Sequence, residues 1–367
     1  MHNLIRSLTF TEGEEEIARL CIGTVGGVVL YDSAGGTRSA WEHKHTALKN
    51  SFISTLAVDY KRPGTIYAGA YHEGVFRSDD FGRNWRRASK GLDLRDVWSL
   101  ALSPDSKELY AGTQPPAVFK SINGGDSWIK LESFNSMPSS RRWHWFASMG
   151  HSGGHVLVLF VDPTNSSRIY AGVEQGGLHR SDDEGATWED IGFGLTEQRD
   201  RIDPHGFAMS PTESNTVFMA DNLGVSKSLD YGSNFKGIRS GLGDWSYMSP
   251  LIIHPNLPDL LLVGGSKKPP QVWPKERNFA EGALFRSEDG GQAWKRVVVG
   301  LPSIMTSTVS ALECEVVDGS TYQYLGTTSG EIYQSLDTGE SWKRIISWVP
   351  SITKWGWHMM RPGGIKL

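Results

Sequence analysis

Short runs of apolar residues, many alternating with polar ones, fill most of this chain and are separated by Gly, Pro and Asp. Such runs are typical of β-strands, and no segment has the sustained 3.6-residue period of an amphipathic helix. Residues 97–121 and 156–181 share one order: an apolar run ending at Ser-Pro or Asp-Pro, a polar turn, a second run, a loop and a third run. A fourth run follows the next Trp, so the pattern predicts an all-β chain of four-stranded repeats.

An eight-residue motif, called the box below, follows the third run of each repeat. It has Ser first, Asp or Asn third, Gly fifth and Trp or Phe last. The six copies are SDDFGRNW (78–85), SINGGDSW (121–128), SDDEGATW (181–188), SLDYGSNF (228–235), SEDGGQAW (287–294) and SLDTGESW (335–342). Their first residues lie 43 to 60 positions apart, and a degraded copy, YDSAGGTRSAW, occupies residues 31–41. Seven repeats of four strands at this spacing predict an all-β, seven-bladed β-propeller of four-stranded antiparallel blades.

The residue types of the box favour a structural role. Its acidic residue can accept hydrogen bonds from the backbone of its own turn, its Gly permits positive φ, and its Trp can bury apolar area between blades. We therefore expect hairpins between third and fourth strands, all on one face of the propeller. We expect no chemistry from the boxes, because a propeller places them far apart.

The two ends of the chain predict how the propeller closes. The first repeat, residues 17–33, has no convincing first strand of its own. Residues 352–362 (ITKWGWHMMRP) look like a first strand with nothing after it. We expect this C-terminal strand to join the N-terminal blade, which would remove exposed sheet edges.

The boxes resemble the Asp-box, or BNR, repeat of sialidases, xyloglucan-active glycosidases, sortilin-type receptors and photosystem II assembly factors of the Ycf48 type. The chain also resembles bacterial sialidase-like propellers over about residues 17–362. The resemblance implies the fold and no single activity, because these relatives share a scaffold. Sialidase activity itself is not expected, because NLIRSLTF carries Arg6 without the Ile-Pro that follows the corresponding arginine in sialidases.

Composition limits the possible partners. We expect one domain over residues 1–367, because a propeller is a single unit despite its length. The net charge of −4 argues against a nucleic-acid partner, and the lack of a long apolar run argues against a membrane one. Cys21 and Cys314 lie in apolar strands, so core thiols are expected. The N-terminal residues lack the apolar core of a signal peptide, so a cytoplasmic protein is expected.

The face opposite the boxes, called the loop face below, is expected to carry the function. It comprises the starts of the first strands, the second–third loops and the linkers between blades. Eight of the fourteen Trp residues fall in these segments. Two insertions, residues 132–155 and 265–282, also fall there, and long loops on a rigid scaffold are often functional. We interpret them as walls or a lid of a ligand site, although they could simply pack on each other.

Aligning the first strands places candidate side chains at equivalent positions of the loop face. The catalytic candidates are His155, His205, Asp203, Asp96, Glu174 and Arg95. The substrate-binding candidates are Tyr71, Trp98, Trp143, Trp145, Tyr247, Lys267, Trp273 and Trp357. Aromatic rings combined with titratable groups in a concavity are what a small-molecule site requires.

One chemistry open to these residues uses a metal. His72, His155 and His205 could bind one divalent transition-metal ion, with Glu174 or Asp203 as a carboxylate ligand. Such an ion would polarise a carbonyl or activate water. The alternative is that the histidines are hydrogen-bonded loop residues.

The other chemistry needs no metal. His155 or His205 would act as general base, oriented by Asp96 or Asp203. Arg95 or Lys267 would then hold a substrate anion, although such charges are often solvated rim residues.

The leading functional hypothesis is an enzyme that hydrolyses or eliminates a small polar, aromatic or sugar-like substrate on the loop face, without a nucleotide cofactor. One alternative is a non-catalytic platform whose Trp-rich face binds a partner protein, as the resemblance to Ycf48-type factors implies. Another is a glycoside hydrolase with paired carboxylates, Glu174 with Asp203 or Asp221.

Overall fold

The computed structural model describes residues 4–35, 37–143, 154–174, 176–192, 203–269, 280–303 and 305–354. Across these ranges the chain is almost entirely β-structure, with 28 strands, one short α-helix and one 3-10 helix. The strands form seven antiparallel four-stranded sheets, each built from four consecutive strands. The predicted all-β, seven-bladed β-propeller is confirmed.

The first four blades are built from strands β1 to β16. Blade 1 contains β1 (Ile5–Glu12), β2 (Glu15–Thr24), β3 (Gly27–Ala34) and β4 (Glu42–Ala47). Blade 2 contains β5 (Ile53–Val58), β6 (Ile66–Ala70), β7 (Gly74–Ser78) and β8 (Arg86–Arg87). Blade 3 contains β9 (Asp96–Leu102), β10 (Leu109–Gln114), β11 (Val118–Ser121) and β12 (Ile129–Lys130). Blade 4 contains β13 (Val156–Asp162), β14 (Asn165–Val173), β15 (Gly177–Ser181) and β16 (Glu189–Ile191).

The last three blades are built from strands β17 to β28. Blade 5 contains β17 (Gly206–Met209), β18 (Val217–Asp221), β19 (Gly224–Ser228) and β20 (Lys236–Gly237). Blade 6 contains β21 (Tyr247–His254), β22 (Leu257–Ser266), β23 (Ala283–Ser287) and β24 (Lys295–Val297). Blade 7 contains β25 (Val309–Val317), β26 (Ser320–Thr327), β27 (Ile332–Ser335) and β28 (Lys343–Ile346). Helix α1 (Glu132–Asn135) and the 3-10 helix (Pro138–Arg142) lie between blades 3 and 4 in the sequence.

Each of the six boxes forms the hairpin between a third and a fourth strand, as expected. In the first box the Ser78 hydroxyl donates to Asp80 Oδ1 at 2.8 Å and accepts the Gly82 N–H at 2.9 Å. The Asn84 N–H donates to the same carboxylate oxygen at 2.8 Å. The same three hydrogen bonds recur in the other five boxes, with Asn123 in place of the aspartate in one.

Second-strand glycines bring neighbouring blades into close contact. A Cβ on Gly69 of β6 would lie 2.7 Å from Val97 Cγ1 of blade 3, and one on Gly112 of β10 would lie 2.7 Å from Val156 Cγ1 of blade 4. The core follows from this packing: buried Tyr67 of blade 2 shares one apolar cluster with Trp128 of blade 3. The apolar faces of the strands are thus buried between blades rather than within one.

The predicted closure of the propeller is wrong. Strand β1 pairs with β2 along its whole length, from Ile5↔Ile22 to Glu12↔Glu15. N-terminal residues therefore form the first strand of blade 1, which residues 352–362 were expected to form. The pattern of β1 misleads because Arg6 is buried in it, neutralised by Glu313 at 3.2 Å. Residues 352–354 belong to no strand, and residues 355–362 lie outside the described ranges.

Two compact units account for the described chain. One spans residues 54–219 and 226–237, with blades 2 to 4 and most of blade 5. The other spans residues 3–53, 220–225 and 238–367, with blades 1, 6 and 7. The interpretation of residues 1–367 as one domain stays a prediction.

Two further expectations concern the thiols and the membrane. Cys21 and Cys314 are free thiols, and burial raises the pKa of each to about 12. In the part of the chain that the structure describes, no helix has the length and apolarity needed to cross a bilayer.

Candidate functional site

Three aromatic rings from successive blades form a continuous layer in the first unit. The Trp98 indole of β9 stacks on the His155 imidazole, with ring centroids 3.7 Å apart and planes 20° apart. Tyr71, from the β6–β7 loop, meets the same indole edge-on at 5.8 Å. The Trp98 Nε1–H donates to Gln114 Oε1 at 3.1 Å, which fixes the orientation of the indole.

Imidazole–carboxylate pairs lie at both ends of this layer. His155 Nδ1 is 2.9 Å from Glu174 Oε2, and His72 Nδ1 is 2.7 Å from Asp96 Oδ1. The His72 ring also lies 4.0 Å from the Tyr71 ring, which joins the second pair to the layer. The two pairs differ in exposure, because the His155 side chain is 3 % exposed and that of His72 is 70 % exposed.

These residues form a single chain of contacts, which we call the blade 2–4 cluster. Its members are His72, Asp96, Tyr71, Trp98, His155 and Glu174. A carboxylate beside an imidazole orients the ring, and this arrangement is used in general acid–base catalysis. The cluster therefore has the groups for proton transfer, and His72 and Asp96 are its accessible part.

The backbone explains why the cluster forms. Asp96 is the first residue of β9, and His155 immediately precedes β13, so both stand at the starts of first strands as the alignment predicted. Glu174 follows β14 and lies in a second–third loop. His72 has φ +65°, and its N–H donates to Asp96 Oδ1 at 2.9 Å, so the loop of blade 2 is held against the start of blade 3.

A further pair of the same kind stands at the start of blade 5. His205 Nε2 lies 3.1 Å from Asp203 Oδ2, and both side chains are buried. Both residues precede β17, so this pair also occupies a first-strand start.

Two of the remaining candidates, Arg95 and Trp143, also belong to the described part of the first unit. Arg95 is exposed. Trp143 is buried, with its ring 4.8 Å from that of Phe134 and 5.2 Å from that of His179. Trp145, Trp273 and Trp357 fall in residues 144–153, 270–279 and 355–367, which the described ranges do not include.

The described part of the first insertion packs on blade 4. The Ser133 hydroxyl donates to the carbonyl of Gly185 at 2.6 Å, and the Ser139 hydroxyl donates to Asp190 Oδ1 at 2.7 Å. Asp190 also lies 2.9 Å from His179 Nδ1. The helices of this insertion are therefore fixed to the box and outer strands of blade 4.

The candidates of the second unit have a different setting. Lys267 Nζ lies 4.7 Å above the Trp245 ring and 3.8 Å from Glu281 Oε1. The Trp245 Nε1–H donates to the Glu281 carbonyl at 2.8 Å. Tyr247, the first residue of β21, is buried. Lys267 is thus bound to its own unit by a cation–π contact and an ion pair.

The predicted metal site stays a prediction. Across the ranges that the structure describes, no three His, Cys, Asp or Glu side chains are grouped as metal ligands. His72, His155 and His205 each lie beside a carboxylate instead.

Lys354, which follows blade 7 in the sequence, is a buried titratable residue that is not among the predicted site residues. Burial lowers the pKa of Lys354 to about 7, and the positive charge of Arg6 acts in the same direction. Nothing in the local sequence indicates the burial of this lysine.

Residues 75–87 match the family model described as BNR-Asp box repeat. The chain is 24% identical over 291 residues to xyloglucanase Xgh74A of Acetivibrio thermocellus, across 67% of this chain and 32% of that protein. It is 25% identical over 244 residues to a xyloglucanase of Hypocrea jecorina, across 58% of this chain and 26% of that protein. The chain thus spans about a third or less of the length of these relatives.

Solved structures show the same fold. The GH74 xyloglucanase from Xanthomonas campestris aligns with a TM-score of 0.64 and 19% identity, over 94% of this chain and 55% of that one. The structure described as YCF48 bound to D1 peptide aligns with a TM-score of 0.55 and 14% identity, over 80% of this chain and 81% of that one. The chain is a seven-bladed β-propeller in which residues 75–87 match a BNR-Asp box repeat.

Proposed function

We propose that the chain is a glycoside hydrolase that cleaves a β-glucan oligosaccharide at the blade 2–4 cluster. The observation that carries the proposal is the unbroken series of contacts from the accessible His72–Asp96 pair through Trp98 to the buried His155–Glu174 pair. Similarity to xyloglucanases supports a sugar as the substrate.

The two pairs suit opposite halves of a hydrolysis. The accessible imidazole of His72, held by Asp96, can deliver a proton to the leaving glycosidic oxygen. Glu174, held by His155, can accept a proton from the attacking water. The water oxygen bonds to the anomeric carbon, the glycosidic C–O bond breaks, and one proton moves from His72 to the leaving group while another reaches Glu174.

The test is hydrolysis of xyloglucan and of cello-oligosaccharides, followed as new reducing ends. His72→Gln and Glu174→Gln should each lower kcat by about 10²–10⁴-fold, because each removes one proton-transfer group. His45→Gln, an exposed histidine of β4, is the matched control and should leave kcat unchanged. Full activity in both cluster variants would overturn the assignment of roles, and no turnover of any of these glycans by the natural protein would overturn the proposal.

A second candidate function is a peptide-binding platform. The alignment with YCF48 bound to D1 peptide covers 81% of that chain, whereas the curated xyloglucanases are matched over a third of their length or less. A platform of this kind would bind an extended peptide without turnover. Peptide-array binding that His72→Gln does not change, together with no glycan hydrolysis, would favour this function over the first.

A further inference from the structure

The turn between the first and second strands of blades 2 to 5 is capped by an oxygen atom of a polar side chain. The capping residue lies at the end of the first strand or directly after it. In blade 2 the Asp59 Oδ1 atom accepts the N–H groups of Lys61 at 3.0 Å and Arg62 at 3.2 Å. In blades 3 to 5, backbone N–H groups of the turn donate in the same way to Ser103, Asp162 and Ser210.

Blade 6 has an imidazole at this position. His254, the last residue of β21, is buried, and its Nδ1 atom accepts the N–H groups of Asn256 and Leu257, both at 3.1 Å. Because Nδ1 is an acceptor, the neutral ring carries its proton on Nε2. This N–H donates to Thr321 Oγ1 of β26 at 2.9 Å. The ring therefore caps the turn of blade 6 and also joins that turn to blade 7.

Blade 2 makes the same two kinds of contact with a carboxylate. Asp59 Oδ1 caps its own turn and accepts the Ser106 hydroxyl, from the first turn of blade 3, at 2.7 Å. Burial acts to raise the pKa of Asp59, but hydrogen bonds from Ser106 and Arg62 outweigh burial and hold this pKa below its ordinary value. The carboxylate thus stays an acceptor in mild acid. An imidazole does not, because protonation turns the Nδ1 acceptor into a donor.

The surroundings of His254 in its own blade favour the neutral ring. Strand β21 carries one other titratable residue, Tyr247, at its opposite end. Asp259 of β22 and Asp318, in the turn before β26, are exposed to solvent. Burial lowers the pKa of His254 below its ordinary value of 6.5, and it is the one cause of that shift.

The charged groups of blade 7 are directed away from the imidazole. Successive side chains of a strand point to opposite faces, and Glu313 and Glu315 of β25 bind Arg6 and Arg38 of blade 1. The tyrosines of β26 lie on the same side as these carboxylates. Cys314 packs on the apolar cluster shared with blade 6, and burial raises its pKa to about 12, so it is a neutral thiol.

We propose that His254 is a pH-sensitive switch at the junction of blades 6 and 7, whose neutral ring holds the blade 6 turn to the β25–β26 hairpin and whose protonated ring releases both. A proton on Nδ1 would face the N–H groups of Asn256 and Leu257, so both hydrogen bonds are lost. Nε2 keeps its proton, and the contact with Thr321 breaks because the ring has to turn away.

The direction of the pH dependence follows from the lowered pKa of His254. The unfolded chain binds a proton at this residue more readily than the folded chain does. The stabilisation is therefore complete above the ordinary value of 6.5 and is lost as the pH falls through the lower pKa of the folded state. The inference does not depend on the proposed function.

The test is hydrogen exchange of the full chain, followed by mass spectrometry at about pH 7.5 and about pH 4.5, with rates corrected for the intrinsic effect of pH. Peptides covering residues 254–262 and 318–326 should lose protection by about tenfold or more at the lower pH. A peptide covering residues 59–68 is the internal control. It should keep its protection, because Asp59 caps that turn at both pH values.

The decisive variant is His254→Asp, which installs the capping residue of blades 2 and 4. It should keep the protection of residues 254–262 at both pH values, whereas His45→Gln, at an exposed histidine of β4, should show the pH effect of the natural protein. The same pH effect in His254→Asp would overturn the switch. So would a blade 6 turn that loses no more protection than the blade 2 turn, a comparison within the natural protein that decides the question even where the variant does not fold.

Discussion

Replacing Gly69 by alanine would put a methyl group where the second strand of blade 2 meets the first strand of blade 3. The new Cβ would lie 2.6 Å from Thr55 Cγ2 and 2.7 Å from Val97 Cγ1. Carbon atoms in contact prefer separations of about 3.5–4.0 Å, so the neighbours must retreat by about 1 Å. Both neighbours are β-branched residues of β-strands, and their χ1 angles have little freedom to move.

The magnitude follows from two opposing contributions. Overpacking a dense core costs about 1–3 kcal/mol. Replacing glycine also restricts the unfolded chain, which returns about 0.4–1 kcal/mol. We therefore expect Gly69→Ala to lower the free energy of unfolding by about 1–2 kcal/mol.

The assay is urea unfolding followed by tryptophan fluorescence, applied to Gly69→Ala, Val97→Ala and the double variant. Removing the Val97 methyl groups makes room for the new Cβ, so the double variant should lose about 1 kcal/mol less than the sum of the single losses. Strict additivity, or a Gly69→Ala protein as stable as the natural one, would refute the argument that blades touch through the bare backbone at this glycine.

Two further predictions concern buried charge. Asp32→Asn should destabilise the fold by about 3–5 kcal/mol in the same urea assay, because Asp32 accepts hydrogen bonds of 2.6 and 2.7 Å from the buried Arg19. The control is Glu42→Gln, which removes one charge of the exposed pair with Lys44 and should cause no measurable change in stability. Lys354→Met should stabilise the fold at pH 7. Because burial lowers the pKa of Lys354 from 10.5 to about 7, the unfolded chain binds more protons between these values, and stability should rise with pH across this window in the natural protein. The variant should lack that part of the rise, and an unchanged pH slope would contradict the assignment.

The blades were predictable because the box is a local structure. The Ser78, Asp80 and Gly82 contacts close within five residues, so each copy reports its hairpin without reference to the rest of the chain. The first strands were predictable for the same reason, because a proline or a polar turn marks the end of each one. Aligning the strands on these ends also locates their starts. Asp96 and His155 accordingly stand where the alignment put them.

Contacts between distant parts of the sequence were not predictable. The burial of Arg6 depends on Glu313, 307 residues away, and so β1 does not show the alternation of an ordinary strand. Trp98 stacks on His155 because blades 3 and 4 pack against each other. The number of residues between the two does not predict this contact. Spacing indicated which residues belong to the loop face, and only packing determined which of them touch.

The pairing of β1 with β2 means that each blade is one uninterrupted stretch of sequence. Among the strands that the structure describes, no sheet is shared between the two ends of the chain. Blades 1 and 7 meet through side chains such as Arg6 with Glu313 and Ser7 with Glu315. A propeller of this kind can gain or lose a repeat by duplication or deletion of a single gene segment without cutting a sheet. For the same reason, circular permutants opened at any linker between blades should keep all seven sheets whole.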